Sequence, residues 1–307
     1  MAATLADVNA TLGVTNIALS DVAKQTKQTN EGISSFVDFM KDKDANDRRV
    51  DLEDKREKAS VMSRVGSAAG AAGGAAVTKH GNKAVSSKSG SADLLLAAGA
   101  DIAHDRGKLE TIFKRVGFIF LFAPLHHESM KYVMPARQKI GKKTLFNLLG
   151  PHTNPCGAKR QILGVYQKDL VRTFASVAKN LSMDHVLIVH GFDGLDEITI
   201  TDSTYVAELK DNTISEYEIS PKDFGLSLGT LPEISAASPD DSLQLIREAF
   251  SGDKSAVQDM IALNAGAALY LAKKVDSIAS GVELSFELMN NGMAADKLTS
   301  YVRVSNS

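Results

Sequence analysis

Beyond about residue 59, short apolar runs of strand length alternate with segments whose apolar residues recur every three or four positions. That alternation limits the chain to a small set of folds. The runs Ala75 to Thr78, Gly117 to Phe122, Gln161 to Tyr166 and His185 to His190 read as strands. Ala92 to Leu96, Met130 to Ile140, Asp169 to Leu181, Asp241 to Phe250 and Ser255 to Leu271 read as helices. Helices between apolar strands cover the faces of a parallel sheet. The expected class is α/β, with a mixed, largely parallel sheet whose ligand sites lie at strand ends.

Residues 1–58 differ in character. They are polar and poor in glycine, with Leu5, Val8 and Leu12, then Ile33, Phe36, Val37 and Met40, at helical spacing. A charge run from Lys41 to Lys58 follows, in which Asp47, Asp51 and Asp54 can stand one turn from opposite charges, as on a solvent-facing helix. From Ser67 to Ala76 the composition changes to alanine and glycine, either a tightly packed small-residue helix or a flexible joint. These features divide the chain into a small helical N-terminal segment, 1–58, and an α/β domain, 59–307.

The 307 residues, 44% of them hydrophobic, suffice for a large buried core. A net charge of -2 gives no global attraction to nucleic acid or to an anionic membrane, so any anion site must be local. The single cysteine, Cys156, cannot form an internal disulfide, which suits a reducing cytoplasm. The start of the chain lacks the basic and apolar regions of a signal peptide. The longest strongly apolar run, Val116 to Leu125, is interrupted by Gly117 and Pro124 and is shorter than the roughly 20 residues that cross a bilayer. A soluble protein with no membrane or nucleic-acid partner is expected.

Two segments carry chemistry. Lys79 to Asp93 holds two glycines, three lysines, four serines and Asn82, and it lies where a strand would feed a helix. Glycine lets backbone N–H groups approach a phosphate, serine hydroxyls donate to it and lysine supplies charge. By composition alone any polar loop would look similar. In the second segment, Asp196 and Glu197 follow an apolar strand and the turn at Gly191 and Gly194. Two carboxylates suit magnesium, which takes one or two of them and completes its octahedron with phosphate oxygens and water. A solvated acidic turn would carry the same residues. His190 and Asp193 read as structural. A third segment runs from Pro124-Leu125-His126-His127 through Lys131 and Arg137 to Thr144-Leu145-Phe146-Asn147-Leu148-Leu149-Gly150-Pro151 and Asn154-Pro155. The adjacent histidines diverge and no third ligand is spaced to close a zinc tetrahedron.

The run Lys79-His80-Gly81-Asn82 with its Ser-Ser and Ser-Gly-Ser-Ala-Asp continuation, the His190-Gly-x-Asp-Gly-Leu-Asp-Glu197 block and the third segment together resemble anthranilate phosphoribosyltransferase. The resemblance covers about residues 67–307. It implies a nucleoside phosphorylase/phosphoribosyltransferase-like domain, pairing of two copies as a homodimer, and transfer of phosphoribosyl from phosphoribosyl pyrophosphate to anthranilate in tryptophan biosynthesis. By that resemblance Lys79, Gly81, Asn82, Ser86, Ser87 and Ser91 hold phosphoribosyl pyrophosphate. His80, Asn82, His127 and Arg137 hold anthranilate, Arg137 through its carboxylate, and Asp196 and Glu197 hold Mg2+. A nucleoside phosphorylase shares the fold class but is disfavoured by Arg137 and by the His190 to Glu197 block.

The chain departs from the family pattern at several places. Lys83 stands where arginine is usual, keeping charge but losing the planar fork. His152 replaces an apolar residue. Upstream, the family's Gly-Thr-Gly-Gly-Asp turn and Asn-x-Ser-Thr segment should fall near Asp51 to Ser63, where this chain has Leu52-Glu53-Asp54-Lys55-Arg56-Glu57. A charged helix in place of a glycine-rich turn predicts weak pyrophosphate binding and little turnover. The alternative expectation is an inactive relic whose N-terminal helix mediates assembly with another protein. The transfer needs no strong general base, because a neutral arylamine attacks with its own lone pair; position and charge stabilisation suffice.

Overall fold

The computed structural model describes residues 63–83, 90–127 and 154–307. The helical reading of 1–58 and the helix expected at Met130 to Ile140 lie outside the described residues. The chain runs α1 (Ser63–Ala72), β1 (Val77–Gly81), α2 (Ser91–Ala97), α3 (Arg106–Val116), β2 (Phe118–Phe122), α4 (Ala123–His126), β3 (Arg160–Gly164), α5 (Lys168–Asn180), β4 (His185–Gly191), β5 (Thr204–Lys210) and β6 (Thr213–Ile219). Two 3-10 turns lead to α6 (Pro239–Phe250), α7 (Ala256–Leu271), α8 (Ile278–Asn290) and α9 (Met293–Ser305).

The α/β expectation holds. Among the described residues β1 and β2 pair in parallel, and a second sheet is ordered β3-β4-β5-β6. In it β3–β4 is parallel, whereas β4–β5 and β5–β6 are antiparallel. Every residue of β4 is buried, as its apolar run requires. The β5–β6 hairpin turns at Asp211 and Asn212, both with positive φ (48° and 60°), the geometry that a two-residue connection between right-twisted strands demands.

The small-residue stretch is helical as far as Ala72, and only Gly73 to Ala76 form a short connection to β1. Gly70 faces Ala268 of α7, and a Cβ on Gly73 would be driven against the Leu269 side chain, so α1 lies close along α7. Ser238 and Ser255 begin α6 and α7 by accepting the amides of Asp241 and Gln258, which is why those starts were legible.

Glu208 ties the antiparallel half of the second sheet to α7. It accepts from His185 Nε2 (2.6 Å), Tyr270 Oη (2.8 Å) and Tyr217 Oη (2.9 Å). Burial pushes its carboxyl up, but the bonds from His185, Tyr270 and Tyr217 together hold it below the usual carboxylate range.

Candidate active site

The strand carrying Lys79 is displaced from its expected position. Ala75 and Ala76 precede it, and Lys79, His80 and Gly81 lie within β1, opposite Phe120, Leu121 and Phe122 of β2. Parallel pairing with a buried apolar partner draws these polar residues into the sheet, so the turn begins only at Asn82. Gly81 has a packing reason: a Cβ there would sit 3.0 Å from the Phe120 ring and 3.8 Å from Ser91 Cβ. The same closeness sets the start of α2 beside the end of β1. Ser91 is buried, and Asp93 accepts from the Gly90 amide at 2.7 Å, fixing the entry to the helix. Asn82 is exposed and accepts from the Lys83 amide. Ser86 and Ser87 lie outside the described residues.

His80 and His127, far apart in sequence, meet in space. Their Nε2 atoms are 3.1 Å apart, one donating and the other accepting, and the rings stand edge to face with centroids 5.0 Å apart. Burial and then repulsion from His127 lower the His126 pKa. Asn154 donates to the Thr78 carbonyl at 3.0 Å, tying the start of the second half of the chain to β1. Arg137 lies outside the described residues.

Asp196 and Glu197 sit in the connection between β4 and β5. They are not a solvated turn: Asp196 is half-buried and Glu197 is only 6% exposed. Asp193 organises the connection by accepting from the Leu195 amide and from the hydroxyls of Thr199 and Thr201. His190 donates from Nδ1 to the Val165 carbonyl at 2.9 Å, and burial lowers its pKa despite that bond and the nearby Asp193 and Asp196 charges. Both residues thus have structural partners.

Two residues that sequence reasoning passed over shape this connection. Gly164, the last residue of β3, lies where the Asp196 carbonyl passes, and a Cβ there would collide with that backbone oxygen. Asn264 of α7 accepts from the Ile198 amide (3.2 Å) and donates to the Ile198 carbonyl (2.8 Å). A lone asparagine within Met260 to Gly266 was the available signal, since a polar side chain inside an apolar helix must find buried partners.

Helix α2, which follows the lysine-bearing segment, shares an apolar core with the acid-bearing one. Leu94 of α2 packs in the same cluster as Leu195 and Ile198, which flank the two acids, and as Val189 of β4. The acid-bearing segment follows the wholly buried β4, and the lysine-bearing one begins within the half-buried β1; α/β sheets place ligands beyond such strand ends.

The fold and site define a sugar-transferring α/β enzyme class: residues 57–295 match the model of the glycosyl transferase family, a/b domain. The chain is 45% identical over 235 residues to anthranilate phosphoribosyltransferase from Vesicomyosocius okutanii, covering 76% of this chain and 69% of that one. It is 48% identical over 232 residues to the enzyme of that name from Halorhodospira halophila, covering 76% and 68%. Among solved structures, anthranilate phosphoribosyltransferase from Thermus thermophilus matches with a TM-score of 0.74 at 36% identity, over 80% of this chain and 73% of that one. The Saccharomyces cerevisiae enzyme in complex with PRPP and Mg matches with a TM-score of 0.74 at 26% identity, over 82% and 71%. The chain belongs to the anthranilate phosphoribosyltransferase family.

Proposed function

We propose that this protein transfers the phosphoribosyl group of phosphoribosyl pyrophosphate to the amino group of anthranilate, releasing pyrophosphate, as a step of tryptophan biosynthesis. The observation that carries the reading is that Leu94 of α2, which follows the Lys79 to Ser91 segment in the chain, packs in one apolar cluster with Leu195 and Ile198, which flank Asp196 and Glu197. It is supported by the activity named for relatives 45% and 48% identical.

In this reading Lys79, Gly81, Asn82, Ser86, Ser87 and Ser91 hold the sugar phosphate, and the Lys79 ammonium offsets charge that grows on the leaving group. His80, Asn82, His127 and Arg137 seat anthranilate, Arg137 by pairing with its carboxylate. The His80–His127 bond fixes both rings at one edge of that seat. The attacking nitrogen uses its own lone pair to form the C–N bond as the C–O bond to pyrophosphate breaks, and it then loses a proton to the departing pyrophosphate or to solvent.

Asp196 and Glu197 fit magnesium: they are hard oxygen donors, adjacent in sequence and partly or wholly buried, and one or two carboxylates are what magnesium takes when phosphate oxygens and water complete its shell. Mg2+ bound there supplies charge neutralisation for the pyrophosphate. A homodimer in the cytoplasm completes the reading, supported by the family resemblance and by the single cysteine. The division at about residue 59 is supported by a family match that begins at residue 57.

Turnover is expected to be slow, because Leu52 to Glu57 occupies the place of the glycine-rich pyrophosphate turn. The same feature favours a second reading, an inactive scaffold whose residues 1–58 mediate assembly. Anthranilate fluorescence, followed with phosphoribosyl pyrophosphate and Mg2+, tests these together. Slow, magnesium-dependent loss of signal is expected. Brisk turnover would refute the impairment, both substrates bound without turnover would favour the scaffold, and no binding of either would overturn the assignment.

A further inference from the structure

The acid pair lies on a segment, 192–203, that has neither helix nor strand to hold it. Bonds to Asp193 shape it from within, and tertiary contacts must set its position on the body. Asn264 supplies one of unusual form: its carboxamide accepts the Ile198 amide at 3.2 Å and donates to the Ile198 carbonyl at 2.8 Å, as a neighbouring strand would. The same Nδ2 also donates to Met260 of its own helix at 2.9 Å, which locks the rotamer. Asn264 is 7% exposed and Ile198 is 1% exposed, so no water competes for these bonds. Ile198 follows Glu197 directly.

The helix that carries Asn264 also meets the other half of the site. One turn further along α7, Ala268 receives Gly70 of α1, and Leu269 lies against Gly73. After α1 the chain passes by Gly73 to Ala76 directly into β1 and Lys79. The short connection leaves little freedom between the α1–α7 contact and the lysine.

We infer that Asn264 is a positioning residue that fixes Asp196 and Glu197, through the backbone of Ile198, one turn along α7 from the α1 contact that leads into β1 and Lys79. The inference rests on the reading of the acid pair as the magnesium holder. Its logic is that of an outer group orienting metal ligands, whose removal costs about 10–100-fold in metal affinity. Asn264 touches neither metal nor substrate.

The test uses the full chain, with Mn2+ as the probe, read by electron paramagnetic resonance of the free ion and by competition with Mg2+. Four proteins are compared: wild type, the Asp196→Asn/Glu197→Gln double variant, Asn264→Ala, and Met289→Ala. Met289 is fully buried on α8, so its truncation destabilises the same core without removing a hydrogen bond to segment 192–203. Hydrogen exchange at the Ile198 amide is measured in parallel. Asn264→Ala is expected to weaken Mn2+ binding at least about 10-fold and to speed exchange at Ile198, while Met289→Ala stays within about twofold of wild type in both.

The inference is overturned if Asn264→Ala binds Mn2+ as wild type does, if Met289→Ala weakens binding equally, or if Ile198 exchange is unchanged. Binding that ignores the Asp196→Asn/Glu197→Gln change sinks the metal reading itself and this inference with it. The exchange result then still reports separately whether the carboxamide clamp exists.

Discussion

Replacing Gly164 by alanine should disable the acid pair while sparing most of the fold. A Cβ at this position points into the carbonyl oxygen of Asp196, far inside the 3.0 Å that real Cβ atoms respect, and its next neighbours are the Asp196 carbonyl carbon, also inside that limit, and Asp196 Cβ at 3.0 Å. The obstacle is backbone, not a flexible side chain, so either the end of β3 or the Asp196 segment must retreat by roughly 1 Å or more. β3 is held by parallel pairing with the wholly buried β4, so the segment between β4 and β5 should give way. Overpacking of this kind costs about 1–3 kcal/mol in stability. A displacement of about 1 Å at a positioned group costs on the order of 100-fold in rate. Thermal shift with phosphoribosyl pyrophosphate across a Mg2+ series measures the effect at the site, and anthranilate fluorescence measures the rate. Gly117→Ala is the control: its Cβ would meet nothing within 4 Å, but its φ of +74° strains any side chain. That variant should lose about 1 kcal/mol and keep its magnesium response. A Gly164→Ala protein that folds and responds to magnesium as wild type does would refute the claim that Asp196 is seated against β3.

Glu208→Ala leaves the His185, Tyr217 and Tyr270 donors without their acceptor and should destabilise the protein by about 3 kcal/mol or more, read by urea denaturation. Because the Glu208 carboxyl is held below its unfolded range, its stabilisation is present above that range and fades as pH falls through the folded value; Glu208→Gln should therefore show a flatter acid limb than wild type. His127→Ala removes the partner of His80 and should weaken anthranilate binding about 10-fold, by fluorescence titration, with phosphoribosyl pyrophosphate binding unchanged. Equal loss for both ligands would place His127 outside the acceptor seat.

Those features of the fold that rest on continuous apolar runs or on caps were legible in the sequence. β4 was visible because residues buried on both faces are apolar almost without a break, and α7 because Ser255 caps a long apolar helix. β5 and β6 were not, since Glu208, Lys210, Glu216 and Glu218 make the hairpin look like a solvated stretch; Glu208 has buried partners and Asp211-Asn212 is the turn signal. β1 extends further along the chain than its apolar residues suggest, because Lys79 and His80 are polar and only pairing with β2 carries them into the sheet. Asp196-Glu197 and the segment from Lys79 stood out in the sequence as candidate motifs. Gly164 did not, because its role lies in how closely it approaches the Asp196 backbone, which no local pattern encodes; Asn264 left a signal, a polar residue in an apolar helix, that did not name its partner.

Isothermal titration of phosphoribosyl pyrophosphate into wild type, Lys79→Ala and Asp196→Asn/Glu197→Gln, each with and without Mg2+, tests the joint site most directly. The account predicts binding by wild type only when Mg2+ is present, with loss of affinity in both variants. Binding that needs no metal, or that survives both substitutions, would contradict it.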